Sequence, residues 1–183
     1  RYQVTSFLAT MALIKDYNDR RQLEKFTTVR RDFEEFLWNH KNIVNVATKN
    51  WGSGAKSYNK MKGMFDFIIQ KFLSGLDEEG VLSELNNNDD YAFYKAGVRE
   101  VMPKHRKDMS TESKSEVFMR EGISNANRCS VCNGYLHKNS IQIDHIQDIK
   151  NGGVGHPDNG QLTHPYCNSI KDKLIALGFY KPS

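Results

Sequence analysis

Apolar residues along the first part of the chain recur at steps of three and four. Between residues 20 and 40, Leu23, Phe26, Val29, Phe33, Phe36 and Leu37 fall on one face of a helix. Tyr58, Met61, Met64, Phe65, Ile68, Phe72 and Leu73 repeat the pattern, and residues 4–17, VTSFLATMALIKDY, read as a further amphipathic helix. The methionine and aromatic stripe predicts a helix–helix seam rather than a ligand groove. Gly75 follows the second run as a C-terminal stop. The acidic, asparagine-rich stretch DEEGVLSELNNNDD, residues 77–90, interrupts the period and predicts a loop. Pro103 and the cluster Lys104, His105, Arg106, Lys107 and Asp108 mark another break, after which Ser110 or Thr111 caps a short helix ending near Gly122.

Beyond Gly122 the period changes. IQIDHI alternates apolar and polar positions through Ile141 and Ile143, as a half-buried strand does. Neighbouring strand residues point to opposite faces, so Asp144 and His145 serve one site only where the strand ends or kinks. The glycine-rich NGGVGHPDNG permits that turn, QLTH supplies a short partner strand, and HPYCNSIKDKLIALG supplies a last helix with Pro165 in its first turn. The expected fold class is α+β and mostly helical, with a helical domain over residues 1–122 and a small strand–loop–strand–helix module over 123–183.

Composition adds a few constraints. No apolar run approaches the ~18 residues a membrane helix needs, so no membrane span is expected. The chain carries a formal net charge of +4, which suits a polyanionic partner without requiring one. Arg20, Arg21, Arg30, Arg31 and the 104–108 cluster are either a phosphate-contacting surface or ordinary solvated charge. An odd count of three cysteines does not suit a secreted disulfide framework and places the protein in a reducing cytoplasm. The chain opens on Arg1 and runs straight into a helix, which predicts a piece of a longer protein.

All three cysteines and four of the six histidines lie between Arg128 and Leu174. Cys129 and Cys132 form C-x-x-C, and His164 and Cys167 form H-x-x-C after 31 intervening residues. Two short-spaced pairs from separate segments are a common way to give zinc four tetrahedral ligands, and Gly134 is available for a positive φ in the first knuckle. A thioredoxin-like pair would need a surrounding βαβ pattern, which is lacking. Asn168 follows Cys167 directly, so on a helix it projects about 100° away from the zinc face. Asp144 and Asn168 offer one carboxylate and one amide oxygen, a set that suits a hard cation such as Mg²⁺, and His145 beside them is a candidate general base.

Taken together, C-x-x-C, the "DH" of Asp144 and His145, the "DN" carrying Asn159, and HPYCNSIK resemble the HNH endonucleases, or ββα-metal nucleases, over about residues 123–175. Asn168 stands where the third letter is often histidine, which makes this an HNN variant. The resemblance implies that His145 deprotonates water, that Asp144 and Asn168 hold a catalytic Mg²⁺ or Mn²⁺, and that Asn159 orients His145 or braces the loop. It further implies that Lys171 touches a phosphate, that Cys129, Cys132, His164 and Cys167 hold a structural Zn²⁺, and that the partner is DNA, bound through its backbone with little sequence specificity. His156, His137, His105 and His40 match no role and are expected on the surface or in loops. The helical part looks loosely like that of multidomain bacterial restriction or anti-phage defence proteins. That likeness implies an upstream regulatory domain and admits a homo-oligomer. A zinc-stabilised nucleic-acid-binding or interaction module without turnover is the alternative.

Overall fold

The computed structural model describes residues 4–52, 55, 57–91, 109 and 111–182. Pro103, the basic cluster of 104–108 and the Ser110 cap lie outside the described residues. The chain divides into two compact units, Arg1–Arg99 and Glu100–Ser183. Its described part is mostly helical, with one small antiparallel sheet near the C-terminus.

The first unit contains α1 (Val4–Asp19), α2 (Leu23–Asn39), α3 (Asn42–Trp51), α4 (Tyr58–Leu73) and α5 (Glu78–Asn87). The most apolar of the predicted faces makes α4 the central element, packed by α1, α2, α3 and α5. Its Met61, Met64, Phe65, Ile68, Ile69 and Phe72 are all buried, so the methionine stripe is core. Phe33 meets Phe65 edge to face at 5.7 Å, and Phe36 meets Phe72 at 5.8 Å. Each such side chain contributes about 1.5–3 kcal/mol by leaving water. Tyr17, also buried, donates its hydroxyl to Asp66 and accepts from Gln70, both at 2.8 Å. Gly75 ends α4 in the left-handed region at φ +89°.

One stretch differs from the expected loop. Residues 78–87 form α5 rather than a loop. Asp77 caps it by accepting from the Gly80 N–H at 2.9 Å, and Val81 and Leu85, one turn apart, are fully buried against the core. A good cap and one apolar pair outweigh an asparagine run that occupies only the helix end. Of the candidate basic residues, Arg20 pairs with Asp16, Arg30 with Glu34 and Arg31 with Asp32, in line with the solvated-charge alternative.

The second unit contains α6 (Thr111–Ser124), β1 (Gln142–His145), β2 (Gly160–Thr163), α7 (Pro165–Ser169) and α8 (Lys171–Ala176). β1 and β2 pair antiparallel, with Asp144 opposite Gln161 and His145 opposite Gly160. The single last helix read from the sequence is two, broken at Ile170, whose φ of −112° and ψ of 11° lie outside the helical well. Val131, Leu136, Leu174 and Tyr180 form a small core together with the three cysteines. Among the described residues no helix is long and apolar enough to cross a membrane.

Candidate metal centre and nuclease site

The two cysteines of the first knuckle are set by a tight turn in which the Asn133 N–H donates to the Cys129 carbonyl at 2.8 Å. The positive φ in that turn falls on Asn133 (55°), not on Gly134. Asparagine tolerates the left-handed region, so the glycine is not needed there. Arg128 stacks over the Tyr135 ring at 4.0 Å and donates to the Tyr135 hydroxyl and the Asn133 carbonyl, each at 2.8 Å, which closes the turn from outside. The knuckle joins the sheet through Ser130, whose N–H donates to the Leu162 carbonyl at 2.9 Å.

Opposite it, Pro165 opens α7 and places His164 and Cys167 toward the knuckle. The four ligand atoms of Cys129, Cys132, His164 and Cys167 all lie within 4.8 Å of one another, and all four residues are buried. His164 Nδ1 is 3.5 Å from the Cys132 sulfur and 3.7 Å from that of Cys167. Tetrahedral zinc with Zn–S of about 2.3 Å and Zn–N of about 2.0 Å requires ligand separations of about 3.5–3.8 Å, so the set fits a zinc ion. The other imidazole nitrogen, Nε2, lies 3.0 Å from the Tyr135 carbonyl. Donation there fixes the tautomer that leaves Nδ1 free to ligate. Thiols this close compete for protons. Hydrogen bonds from Cys132 and Cys167 hold Cys129 far below the usual thiol range, while those from Cys167 to Cys129 and Cys132, with burial, push Cys167 far above it. A dication removes that conflict by taking all three as thiolates.

Between β1 and β2 the chain makes a loop that Asn159 holds from within. The Asn159 Oδ1 accepts from the Gln147 N–H at 2.8 Å, and its Nδ2 donates to the carbonyls of Gln147 and Val154 at 3.0 and 2.9 Å. Every bond of the amide goes to loop backbone. Gly153 packs so closely that a Cβ there would lie 1.8 Å from the Gln147 carbonyl oxygen.

β1 ends at His145, which lets both Asp144 and His145 face one cavity of about 490 Å³, lined also by His156, Pro157 and Asn159. Asn168 is not among its lining residues; it sits half-buried on α7 beside Cys167. Among the described residues, neither the His145 ring nor the Asn168 amide has a hydrogen-bond partner. The Asp144 carboxylate is 7% exposed, accepting from Gln161 Nε2 at 2.9 Å and from Lys171 Nζ at 3.1 and 2.9 Å. Those three bonds use three of about four lone pairs and leave one, on Oδ1.

Lys171 departs most from its expected role. Its side chain is 5% exposed, and besides Asp144 its Nζ donates to the His145 carbonyl and to Asp148 Oδ1, each at 2.8 Å. Burial lowers its pKa, but the bonds to Asp148 and Asp144 more than offset that and leave the ammonium above the ordinary lysine range. An ammonium with three N–H groups and four oxygen partners has none to offer a phosphate. The Lys171 bond also holds Asp148 below the usual carboxylate range.

Residues 129–174 match the HNH endonuclease family. No curated protein and no solved structure matches the chain. The HNH segment thus spans the knuckle, the hairpin and most of the last two helices, and takes in every cysteine.

Sequence reasoning did not single out Asp148, Gln161 or the Tyr135 carbonyl. Gln161 becomes visible only once the strand register sets it opposite Asp144, and the Tyr135 carbonyl only once His164 is placed. His156, exposed in the β1–β2 loop as expected, also lines the His145 cavity, and its Nδ1 accepts from the Asp158 N–H at 3.3 Å. His40 lies in the turn after α2, as expected, where it meets Glu78 at 2.9 Å and packs against Phe36. His137 is exposed as expected.

Proposed function

We propose that the chain is a metal-dependent DNA endonuclease that hydrolyses phosphodiester bonds at its HNH segment. The observation that supports this most is the unpartnered His145 ring at the end of β1, in a cavity shared with Asp144, within a segment that matches the family. On this reading His145 takes a proton from the attacking water, whose oxygen bonds to phosphorus as the P–O3′ bond breaks. The leaving 3′ oxygen takes a proton from solvent, and the products carry 5′-phosphate and 3′-hydroxyl ends. Asp144 and the amide oxygen of Asn168 would hold a Mg²⁺ or Mn²⁺, which would supply Lewis acidity at the scissile phosphate. Asn159 keeps the loop in shape, and the Cys129, Cys132, His164 and Cys167 set takes the structural zinc.

The same reading assigns the nuclease module to residues 123–183 and the preceding helical domain, residues 1–122, to a restriction or anti-phage defence role. It places the protein in the cytoplasm, regulated by a domain upstream and able to form homo-oligomers. DNA is engaged through its backbone, with little sequence preference.

Supercoiled plasmid incubated with the zinc-loaded protein in EDTA, Mg²⁺ or Mn²⁺ tests the proposal. Metal-dependent nicking or linearisation that disappears in His145→Ala, with zinc content unchanged, is the expected result. One observation favours a second reading: the claim of Lys171 on Asp144 would suit a binding module without turnover. Retention of the plasmid without cleavage by folded, zinc-loaded protein in every metal would favour that module and overturn the nuclease.

A further inference from the structure

Lys171 Nζ sits in a nest of four oxygens at 2.8–3.1 Å, supplied by both oxygens of Asp144, one of Asp148 and the His145 carbonyl. Carboxylates and a carbonyl in that arrangement are the ligands a divalent cation would choose, and here a tethered ammonium fills their centre. Asp148 is the variable member. Its side chain is 25% exposed against 8% for Asp144, and its second oxygen faces Lys150 at 3.7 Å. Lys150 in turn reaches Asp172 at 2.9 Å. The ammonium is therefore shared between a buried carboxylate at the candidate site and a half-buried one outside it.

We infer that Lys171 and Asp148 are positioning residues that set how tightly Asp144 holds a divalent cation, Asp148 drawing off part of the ammonium's charge. The inference rests on the proposed role of Asp144 as a metal ligand. A carboxylate that gives three of its lone pairs to an ammonium and an amide is a weak donor to a further cation. Each increment of the Lys171 charge that Asp148 takes makes it a better one. Asp148 touches neither the Asp144 carboxylate nor the cavity that holds His145, so it acts through Lys171. The lysine also ties the His145 carbonyl to the Asp144 side chain, which fixes the backbone from which the imidazole projects.

Mn²⁺ binding to zinc-loaded protein, followed by electron paramagnetic resonance without DNA, gives a test that does not depend on turnover. Asp148→Asn keeps the shape of the side chain and removes its charge. It is expected to weaken Mn²⁺ binding about tenfold, with zinc content unchanged, and to raise the Mg²⁺ concentration for half-maximal nicking by a similar factor while the plateau rate stays. The double variant Lys171→Met, Asp148→Asn removes the ammonium as well and is expected to bind Mn²⁺ at least as tightly as the wild type. Unchanged Mn²⁺ affinity in Asp148→Asn, or a double variant as weak as that single one, overturns the inference. So does a lowered plateau with no shift in metal dependence, the mark of a merely structural role. If the wild type binds Mn²⁺ and responds as expected but never nicks DNA, the nuclease reading fails and the inference stands. If Asp144→Asn binds Mn²⁺ as the wild type does, both fail.

Discussion

Replacement of Cys132 by serine should unfold the second unit and leave the first intact. Among the described residues, the buried apolar members of the second unit other than its thiols are Val131, Leu136, Leu174 and Tyr180. At about 1.5–3 kcal/mol each, they contribute about 6–12 kcal/mol. A structural zinc of this ligand type is worth about 10–16 kcal/mol at neutral pH. The ion thus matches or exceeds the rest of the core, and a unit so small has little reserve to survive its loss. The chain's two tryptophans, Trp38 and Trp51, both belong to the first unit, so their fluorescence reports that unit alone. The second is followed by amide exchange at Ser130 and Ile146, whose N–H groups donate to Leu162 and Asn159 at 2.9 Å. In Cys132→Ser we expect substoichiometric zinc, loss of protection at both amides and an unchanged tryptophan transition. Addition of phenanthroline to the wild type should reproduce that pattern. Full zinc content with both amides still protected would refute the reasoning, because it would show that the four ligands are not one folding unit.

Gly153→Ala should disrupt the Asn159-braced loop, since its Cβ would lie 1.8 Å from the Gln147 carbonyl oxygen. Faster exchange of the Gln147 amide, with zinc retained, is the expected readout. In the first unit, the bond from Lys62 holds Asp16 below the usual carboxylate range. A depressed carboxylate contributes stability above its unfolded pKa of about 3.9 and loses it as pH falls through the lower folded value. The urea midpoint by tryptophan fluorescence should therefore fall more steeply below about pH 4 in the wild type than in Asp16→Asn. Phe65→Ala, at a fully buried position edge to face with Phe33, should cost about 3–5 kcal/mol in the same assay.

The helical faces were legible because they bury a stripe, and a stripe has a period. α1, α2 and α4 follow it, and β1 and β2 fall on the IQIDHI and QLTH segments. α5 was hidden because polar composition was weighed above the Asp77 cap and the single Val81 and Leu85 pair. α3 was not anticipated at all; only Ile43 and Ala47 of its ten residues are buried, which is too short a signal to read. The cysteine–histidine cluster was legible because short spacings within each pair are local, and the match over residues 129–174 falls where the motifs do. The surroundings of Lys171 were not legible. A lysine one turn past Asn168 reads as a surface cation, and its burial depends on the bend at Ile170 and on the packing of α7 against β1, neither of which the sequence states locally.

On the proposed reading two positive groups frame the candidate site, a zinc ion at the cysteine–histidine cluster and the Lys171 ammonium. Cys167 of that cluster immediately precedes Asn168 on α7, so an ion bound there would also fix the backbone of that amide. Lys171 bonds the Asp144 carboxylate directly and the His145 carbonyl beside it. Neither support reaches the His145 ring, whose lack of hydrogen bonds among the described residues suits the proton acceptor proposed for it. The arrangement separates two demands that conflict in a small domain. On the proposed reading, rigidity would come from buried, paired charges set back from the cavity, and reactivity from His145 and Asn168, whose side chains have no hydrogen-bond partner among the described residues. On that division, conservative changes at Asp148 or Gln161 should alter metal affinity while the module stays folded, whereas changes at the zinc ligands should not be separable from unfolding.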